Sequence, residues 1–256
     1  MRSFIKKIPG AIKLVNLTRV LAGRIYYRLK GEQYIDTVPL SMEELSSLIS
    51  KNHPVILEIG CNDGTDTKRL RTAFPKATIH CFEPDARAQI RFVNNGGLDI
   101  CTSLHRTAVG AVDGKVIFNV SSGRENLEMP RGWDLSGSIR KPLSVLTEVP
   151  WIKFENQVEV AITTLDLFFE KYELSLVDFI WMDVQGAELD VIRGGAKALK
   201  SVRYLYTEYD DGGLYDGGAT LLEICRSLPD FTLLKRYAED ALFVNKNLGN
   251  KRSNNT

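Results

Sequence analysis

No stretch of this 256-residue sequence is a long apolar run. The basic start MRSFIKKIPG leads into apolar residues that Lys13 and Arg19 interrupt, which excludes a membrane span and a clean signal-peptide core. Cysteine is scarce. Cys61, Cys81, Cys101 and Cys225 are not spaced like a zinc knuckle or a redox pair, and they read as reduced structural thiols of a cytoplasmic protein. The only histidines, His53, His80 and His105, form no recognisable ligand set, and His105 in its strand reads as structural. Internal repeats and low-complexity segments are absent. With 44% hydrophobic and 25% charged residues, the composition excludes a disordered chain, a collagen-like fibre and a disulfide-dense mini-protein.

Net charge is nearly absent too, at +1, but it is unevenly spread. Residues 1–31 hold eight basic side chains and no acid, and residues 246–256 hold three more bases. Residues 32–245 carry 22 bases against 32 acids, which makes the body a poor surface for nucleic acid. Within Ala11 to Leu29, Ile12, Val15, Leu17, Val20, Leu21 and Ile25 stand at roughly helical spacing. Two readings stay open for this basic amphipathic segment: packing or oligomer contact, and peripheral contact with an anionic membrane.

What is present alternates between two periods. Ser41 opens SMEELSSLI with Glu44 three residues on, a capping-box start for a helix. VILEIG (55–60), TIHCFEP (78–84), VDFIWMDV (177–184) and RYLYTEY (203–209) are short apolar runs of the buried-strand type. Helices are expected at 65–74, 85–94, 187–199 and 220–228, and after a cap at Thr163 or Thr164. Further strands are expected at 98–109 and 115–120, in VEVAITT, and in a closing hairpin of FTLLKRY and DALFVN. This βα alternation predicts an α/β fold with a mostly parallel sheet, its last strand antiparallel at or near an edge. Residues 121–150 break the rhythm as a long irregular excursion.

In open α/β sheets, ligands sit outside the carboxyl ends of the strands. Four of the expected strands end in acids there: Glu58, Glu83, Asp183 and Glu208, with Glu188 just beyond Asp183. Gly60 and Gly64 allow a tight turn and close backbone approach to a ligand. A dinucleotide loop would need a third glycine at Rossmann spacing, and here Glu58, Asp63 and Asp66 would repel a pyrophosphate. Glu83, 19 residues after Gly64, is placed to accept both hydroxyls of a ribose. The set suits S-adenosylmethionine better than NAD.

ILEIGCNDGTDT, HCFEPD, ITTLDLFFEKY, VDFIWMDVQGAELDVIRGG and DALFVN, in this order from about residue 54 to 245, resemble the FkbM-type family of S-adenosylmethionine-dependent O-methyltransferases. The resemblance implies a class I methyltransferase (Rossmann-like) fold, with a seven-stranded sheet, helices on both faces and one antiparallel strand. A methyltransferase domain is expected over 41–245, and the charge pattern sets a basic helical extension (1–40) and a basic flexible tail (246–256) on either side of it. The resemblance also implies transfer to a hydroxyl of a sugar, glycan or other small natural-product scaffold. Carried over by position, Gly60, Asn62, Asp63 and Gly64 form the cofactor loop, Glu58 lies beneath the methionine amino end, and Glu83 holds the ribose. Pro84 and Asp85 border the adenine, Thr107 and Ala108 touch its edge, and Asp183 lies below the transferred methyl. Two departures stand out: Gln185 replaces a second acid, so it is no base, and Trp181 stands where a lysine is expected, altering the cavity floor or filling the sheet.

Each of these residues also has a plain structural reading. Gly60 and Gly64 are turn glycines, Glu83 and Glu188 are acids at helix starts, Asp183 is a cap, and Glu208 ends a strand. Trp133, Trp151, Arg124, Arg131 and Arg140 either bind a sugar and its phosphate or anchor a loop. Gly212, Gly213, Gly217 and Gly218 suggest a hinged lid over 210–218. For the chemistry, Asp183 is the first candidate base, with Glu208 and Glu188 behind it; a magnesium ion on these acids is an alternative that acid proximity alone does not establish. The rival functions are an NAD- or nucleotide-sugar-dependent Rossmann enzyme and a non-catalytic cofactor-binding module.

Overall fold

The computed structural model describes residues 35–36, 38–123 and 133–248. The basic extension up to residue 34, Arg124, Arg131 and the tail from 249 lie outside the described residues, so the readings placed on them stay as they were.

The strands are β1 (Ile35–Asp36), β2 (Val55–Ile59), β3 (Thr78–Phe82), β4 (Thr102–His105), β5 (Ala108–Val109), β6 (Gly114–Ser122), β7 (Lys153–Thr163), β8 (Val177–Met182), β9 (Val202–Glu208), β10 (Phe231–Tyr237) and β11 (Asp240–Asn245). The helices are α1 (Met42–Ile49), α2 (Thr65–Ala73), α3 (Ala86–Asn94), α4 (Val145–Glu148), α5 (Leu165–Lys171), α6 (Glu188–Gly194) and α7 (Leu221–Ser227). The main sheet runs β1-β10-β11-β9-β8-β2-β3-β4. Only β11 is antiparallel to its neighbours. It inserts between β9 and β10, so the closing hairpin folds back into the sheet and leaves β10 outside it. The chain moves outward from β2 to β4 and then crosses back to β8, so strand order reverses between β2 and β8, and a crevice opens there at the carboxyl ends.

Period-2 alternation divides the buried strands between two apolar cores. Ile56, Ile79, Cys81 and Phe179 face one core with Leu45, Ile49, Leu70 and Phe92 of α1, α2 and α3. Leu57, Ile59, Phe82 and Ile180 face the other with Leu165, Phe168, Val191, Ile192, Leu221 and Ile224 of α5, α6 and α7. Side chains cap the helices where the sequence places Ser, Thr or Asp. Ser41, Asp85, Thr164 and Thr220 each accept a backbone N–H of the first turn. The full capping box is at Thr220 and Glu223. At α1 the carboxylate of Glu44 instead takes Lys235 Nζ at 2.9 Å, an ion pair shared with Asp36 that ties α1 and β1 to β10.

The structure differs from expectation in three places. The sheet has eight strands rather than seven, because two residues of β1 pair with β10, and Leu40 is 1% exposed in the core. Residues 35–40 therefore share the fold of 41–245. The run 98–109 breaks at Arg106-Thr107: β4 stays in the main sheet while β5 joins β7 and β6 in a second, three-stranded sheet. Residues 246–248 are held to Asp230, through Lys246 N–H at 2.8 Å and Asn247 Nδ2 at 3.3 Å.

Asp178, fully buried near the start of β8, accepts Lys51 Nζ at 2.7 Å and Val55 N–H at 3.0 Å, pinning the entry to β2. Lys51 is 39% exposed, so what the loss of Asp178 strands is the Val55 N–H, and Asp178→Ala is expected to lower unfolding free energy by about 2 kcal/mol in urea titration. A loss under about 1 kcal/mol, the worth of a surface pair, would show that this anchor is idle.

Candidate active site

The crevice depends on how closely the ends of β2 and β8 approach. Asp183 N–H donates to the Ile59 carbonyl at 2.9 Å, and Gly60 has φ +91°. A Cβ on Gly60 would lie 1.8 Å from the Asp183 carbonyl oxygen, so no other residue fits between the two strand ends. Gly60 and Cys61 both donate to the Phe82 carbonyl, at 2.9 and 3.0 Å, which brings the end of β3 alongside.

A cavity of about 410 Å³ lies over these ends, of a size usual for small-molecule sites. Gly60, Asn62, Glu83, Pro84, Thr107, Ala108, Asp183 and Glu208 line it, as does Asp66. Glu83 is 5% exposed and held by two backbone donors, Asn62 N–H at 2.9 Å on Oε2 and Asp85 N–H at 2.7 Å on Oε1. Asn62 reaches this position through a left-handed turn (φ 44°). Burial pushes the Glu83 carboxyl up to about 8, against the pull of those two donors. The break at Thr107 that splits the expected strand is what carries Thr107 and Ala108 to the cavity wall.

Three residues expected to contact the cofactor, Glu58, Asp63 and Gly64, are not on the cavity wall. Glu58 shares the sheet face of Ile56, where α2 covers it. Its Oε2 takes Thr67 Oγ1 at 2.5 Å, and burial holds its carboxyl well above the usual range. Asp63 turns outward and caps the start of α2, accepting Thr65 N–H at 3.1 Å and Thr65 Oγ1 at 2.7 Å. Gly64, at φ +80°, lies so close under Phe92 that a Cβ would meet the ring at 2.8 Å. These three shape the loop from behind. Asp85 likewise caps α3 and pairs with Arg87 at 2.5 Å.

At the other end of the cavity Asp183 and Glu208 meet across Gln185. Gln185 Nε2 donates to Asp183 Oδ1 at 2.7 Å and to Glu208 Oε2 at 3.0 Å. Gln185 is in the left-handed region (φ 52°) and precedes Gly186 (φ 91°). Its carbonyl accepts Ser138 Oγ at 2.7 Å. Its Oε1 lies 3.2 Å from the hydroxyl of buried Tyr215, which also donates to the Ser136 carbonyl at 2.8 Å. The amide orientation is therefore fixed, with the donor end toward the acids. Burial raises both carboxyls. Glu208 stands well above the usual range, because the charges of Asp183 and Glu188 add to its burial. Like charges this close disfavour ionising both, and the larger rise at Glu208 makes Asp183 the readier of the two to lose its proton. Among the described residues no group of three or more His, Cys, Asp or Glu is arranged to hold a metal ion. Gln185 Nε2 already fills the place between the two carboxylates where a magnesium ion would sit.

Glu188 lies apart from this pair. It lines a second cavity, of about 590 Å³, which shares Trp133, Ser136, Gln185 and Glu208 with the first. The two cavities therefore meet at the Gln185–Glu208 contact. Trp133 and Trp151 stand edge to face at 4.9 Å on the second cavity, which keeps the sugar-platform reading open. Arg140 is engaged elsewhere, at 2.5 Å from Asp190, which argues against its binding a phosphate. The 210–218 loop is a strap rather than a hinged lid. Asp210 accepts the N–H groups of Gly212, Leu214 and Tyr215, and Pro142 pairs with Tyr215. Trp181 packs on Tyr206 at 5.0 Å and fills the sheet. His80 and His105 lie 3.1 Å apart in an aromatic cluster with Phe82 and Phe168, a structural place for both.

Sequence reasoning missed the clamp made by Gln185, Tyr215, Ser136 and Ser138. The Gln-Gly pair after an acid-ended strand was the one local signal for it.

A reversal crevice with a glycine turn, a ribose-type carboxylate one strand over and a buried acid pair defines a methyltransferase of the Rossmann-like class. The chain belongs to the FkbM methyltransferase family: the methyltransferase FkbM domain matches residues 58–241. It is 42% identical over 194 residues to the 2-O-methyltransferase NoeI of Sinorhizobium fredii (strain NBRC 101917 / NGR234), covering 76% of this chain and 79% of that one. Among solved structures, it overlaps the N-methyltransferase NodS from Bradyrhizobium japonicum WM9 at 14% identity and TM-score 0.41, covering 78% and 91% of the two chains. It overlaps M. capricolum TrmK bound to S-adenosyl-homocysteine at 9% identity and TM-score 0.42, covering 85% and 72%. At such values these overlaps say nothing about what this chain acts on. S-adenosylmethionine is the methyl donor, and the residues present fit it. Gly60, Asn62 and Glu83 line the cavity, and Glu83 is buried there with both carboxyl oxygens held by backbone donors.

The raised carboxyls set a pH dependence. Unfolded glutamate ionises near 4.5, whereas folded Glu188 keeps its proton to about 7 and Glu83 to about 8, in both cases because of burial. Between these values the folded state binds more protons, so stability falls as pH rises from about 4.5 to 8. Urea titrations across this window should show that fall. Glu188→Gln should flatten it below pH 7, by up to about 1.4 kcal/mol per pH unit. An unchanged slope in the variant would mean that Glu188 is ionised throughout.

Proposed function

We propose that this methyltransferase moves the methyl group of S-adenosylmethionine onto a hydroxyl of a sugar, glycan or other small scaffold. The donor occupies the smaller cavity and Asp183 acts as general base. The observation that carries this reading is the buried Asp183–Glu208 pair, joined by Gln185 Nε2 at the meeting of two cavities. The donor supplies an already activated methyl. The protein's work is to hold the acceptor oxygen in line, about 3 Å away, and to take its proton. A neutral alcohol is a poor nucleophile, so a carboxylate whose basicity is raised by burial suits this step better than an exposed one. Glu208, kept protonated, hydrogen-bonds rather than repels the developing alkoxide. Glu83 binds the ribose hydroxyls with the lone pairs that its two backbone donors leave free. The name of the relative NoeI, a 2-O-methyltransferase, supports oxygen as the acceptor atom.

Among the described residues no helix is long and apolar enough to cross a membrane. A cytoplasmic location, read from the four unpaired cysteines, and peripheral contact through the basic stretch 1–31, read from its charge, are part of this proposal.

Two variants separate donor binding from chemistry. Glu83→Ala is expected to weaken S-adenosylhomocysteine binding by tenfold or more in calorimetry, about the worth of two lost hydrogen bonds. Asp183→Asn is expected to keep that affinity and lose turnover by about 100-fold or more, the usual scale for a general base. Full turnover in Asp183→Asn would remove it as base, and unchanged affinity in Glu83→Ala would move the ribose elsewhere.

A further inference from the structure

One wall of the smaller cavity is a single stretch of irregular chain. Residues 133–139 all line it, and none belongs to a helix or a strand. Such a stretch keeps its place only through its contacts. At its far end Ser138 exchanges two backbone hydrogen bonds with Asn119, at 2.7 and 3.1 Å, and gives its hydroxyl to the Gln185 carbonyl. At its near end Trp133 N–H donates to the Gly123 carbonyl at 2.7 Å. Neither tie reaches the turn after β2. Asp134 makes that link. Its carbonyl takes Asn62 Nδ2 at 3.3 Å, and its carboxylate is paired with the guanidinium of Arg91 on α3. Arg91 also stands 3.5 Å from Asn62 Oδ1. The Arg91 and Asp134 side chains are 17% and 13% exposed, so water and salt screen this pair less than a surface pair. Asn62 in turn donates its N–H to Glu83 at 2.9 Å. A run of contacts thus leads from Arg91, through Asp134 and Asn62, to the buried carboxylate on the opposite wall. Arg91 is not among the described residues that line the cavity, so it acts through its partner.

From this we infer that Arg91 is a positioning residue for the methyl donor: through Asp134 it holds the 133–139 wall against the Gly60–Asn62 turn and keeps the cavity in the shape that takes S-adenosylmethionine. The inference rests on the donor occupying the smaller cavity. A wall already held in the bound shape spares the donor the cost of ordering it. Losing the pair therefore costs affinity, and the loss falls mainly on the dissociation rate. An ion pair that only steadied α3 would behave differently, lowering stability and leaving affinity alone.

Calorimetry and stopped-flow fluorescence with S-adenosylhomocysteine on the full chain test this, with Trp133 on the wall as a built-in reporter. The variants are Arg91→Met, which keeps the aliphatic stem, Asp134→Ala, and the two combined, with Glu83→Ala beside them as the reference for the donor's place. Arg91→Met and Asp134→Ala should each weaken binding by about fivefold or more, mostly through faster dissociation. The double variant should bind no more weakly than the worse single one, because both remove the same link. Losses that multiply in the double variant would overturn the inference, since each residue would then act alone. So would a lowered unfolding temperature at unchanged affinity. Wild-type affinity in Arg91→Met and Asp134→Ala beside a loss in Glu83→Ala would strike this inference and leave the donor in its cavity. Wild-type affinity in all of them, Glu83→Ala included, would place the donor elsewhere and strike the reading beneath it too.

Discussion

The site depends on two strand ends that touch. Where β2 and β8 run side by side, the Asp183 carbonyl oxygen fills the space a Cβ of residue 60 would occupy, and Asp183 N–H closes on Ile59. This contact sets the glycine loop after β2 beside the Asp183–Glu208 pair, although Gly60 and Asp183 lie more than a hundred residues apart in the chain. The reversal of strand order makes the meeting possible, because it sets the carboxyl ends of β2 and β8 side by side. Glycine at this one position is therefore a requirement of packing, whatever the loop binds.

The buried acids are the cost of that arrangement. Glu83, Asp183, Glu188 and Glu208 all carry carboxyls raised by burial, and each would be replaced by an apolar residue if stability were the only demand. They are kept in order by neutral donors: two backbone N–H groups on Glu83, the Gln185 amide on Asp183 and Glu208, and the Gly186 N–H on Glu188. A neutral donor between two carboxyls orients them and still lets them trade one proton, which a lysine or a metal ion would suppress. Tyr215 and Ser138 then hold the amide from the far side, so the geometry of the acid pair draws on the irregular 133–140 segment and the 210–218 strap as well as on the sheet.

Much of this was legible in the sequence, for physical reasons. Strands buried on both faces must read as short apolar runs, and acids that follow such runs must emerge at one edge of a parallel sheet. The positions of Glu83, Asp183 and Glu208 followed from that alone. Glu58 did not, because it stands one residue before the strand end, and the two-residue period turns it under α2 toward Thr67. The second sheet stayed hidden because the turn at Arg106-Thr107 carries no glycine or proline to mark it. The clamp on Gln185 was invisible for a deeper reason. Its partners come from loops whose paths are set by tertiary packing, so no local pattern links Ser138 or Tyr215 to residue 185. The strap itself read as a lid because glycines signal freedom in a sequence, while the Asp210 carboxylate that removes it acts only once the loop is folded.

The most direct measurement is a crystal structure of the chain with S-adenosylhomocysteine. The ribose hydroxyls should lie on the Glu83 carboxylate, with the sulfur at the boundary of the two cavities facing Asp183 and Gln185. A ligand seated away from the Gly60 turn, or a sulfur pointing away from Asp183, would contradict the account.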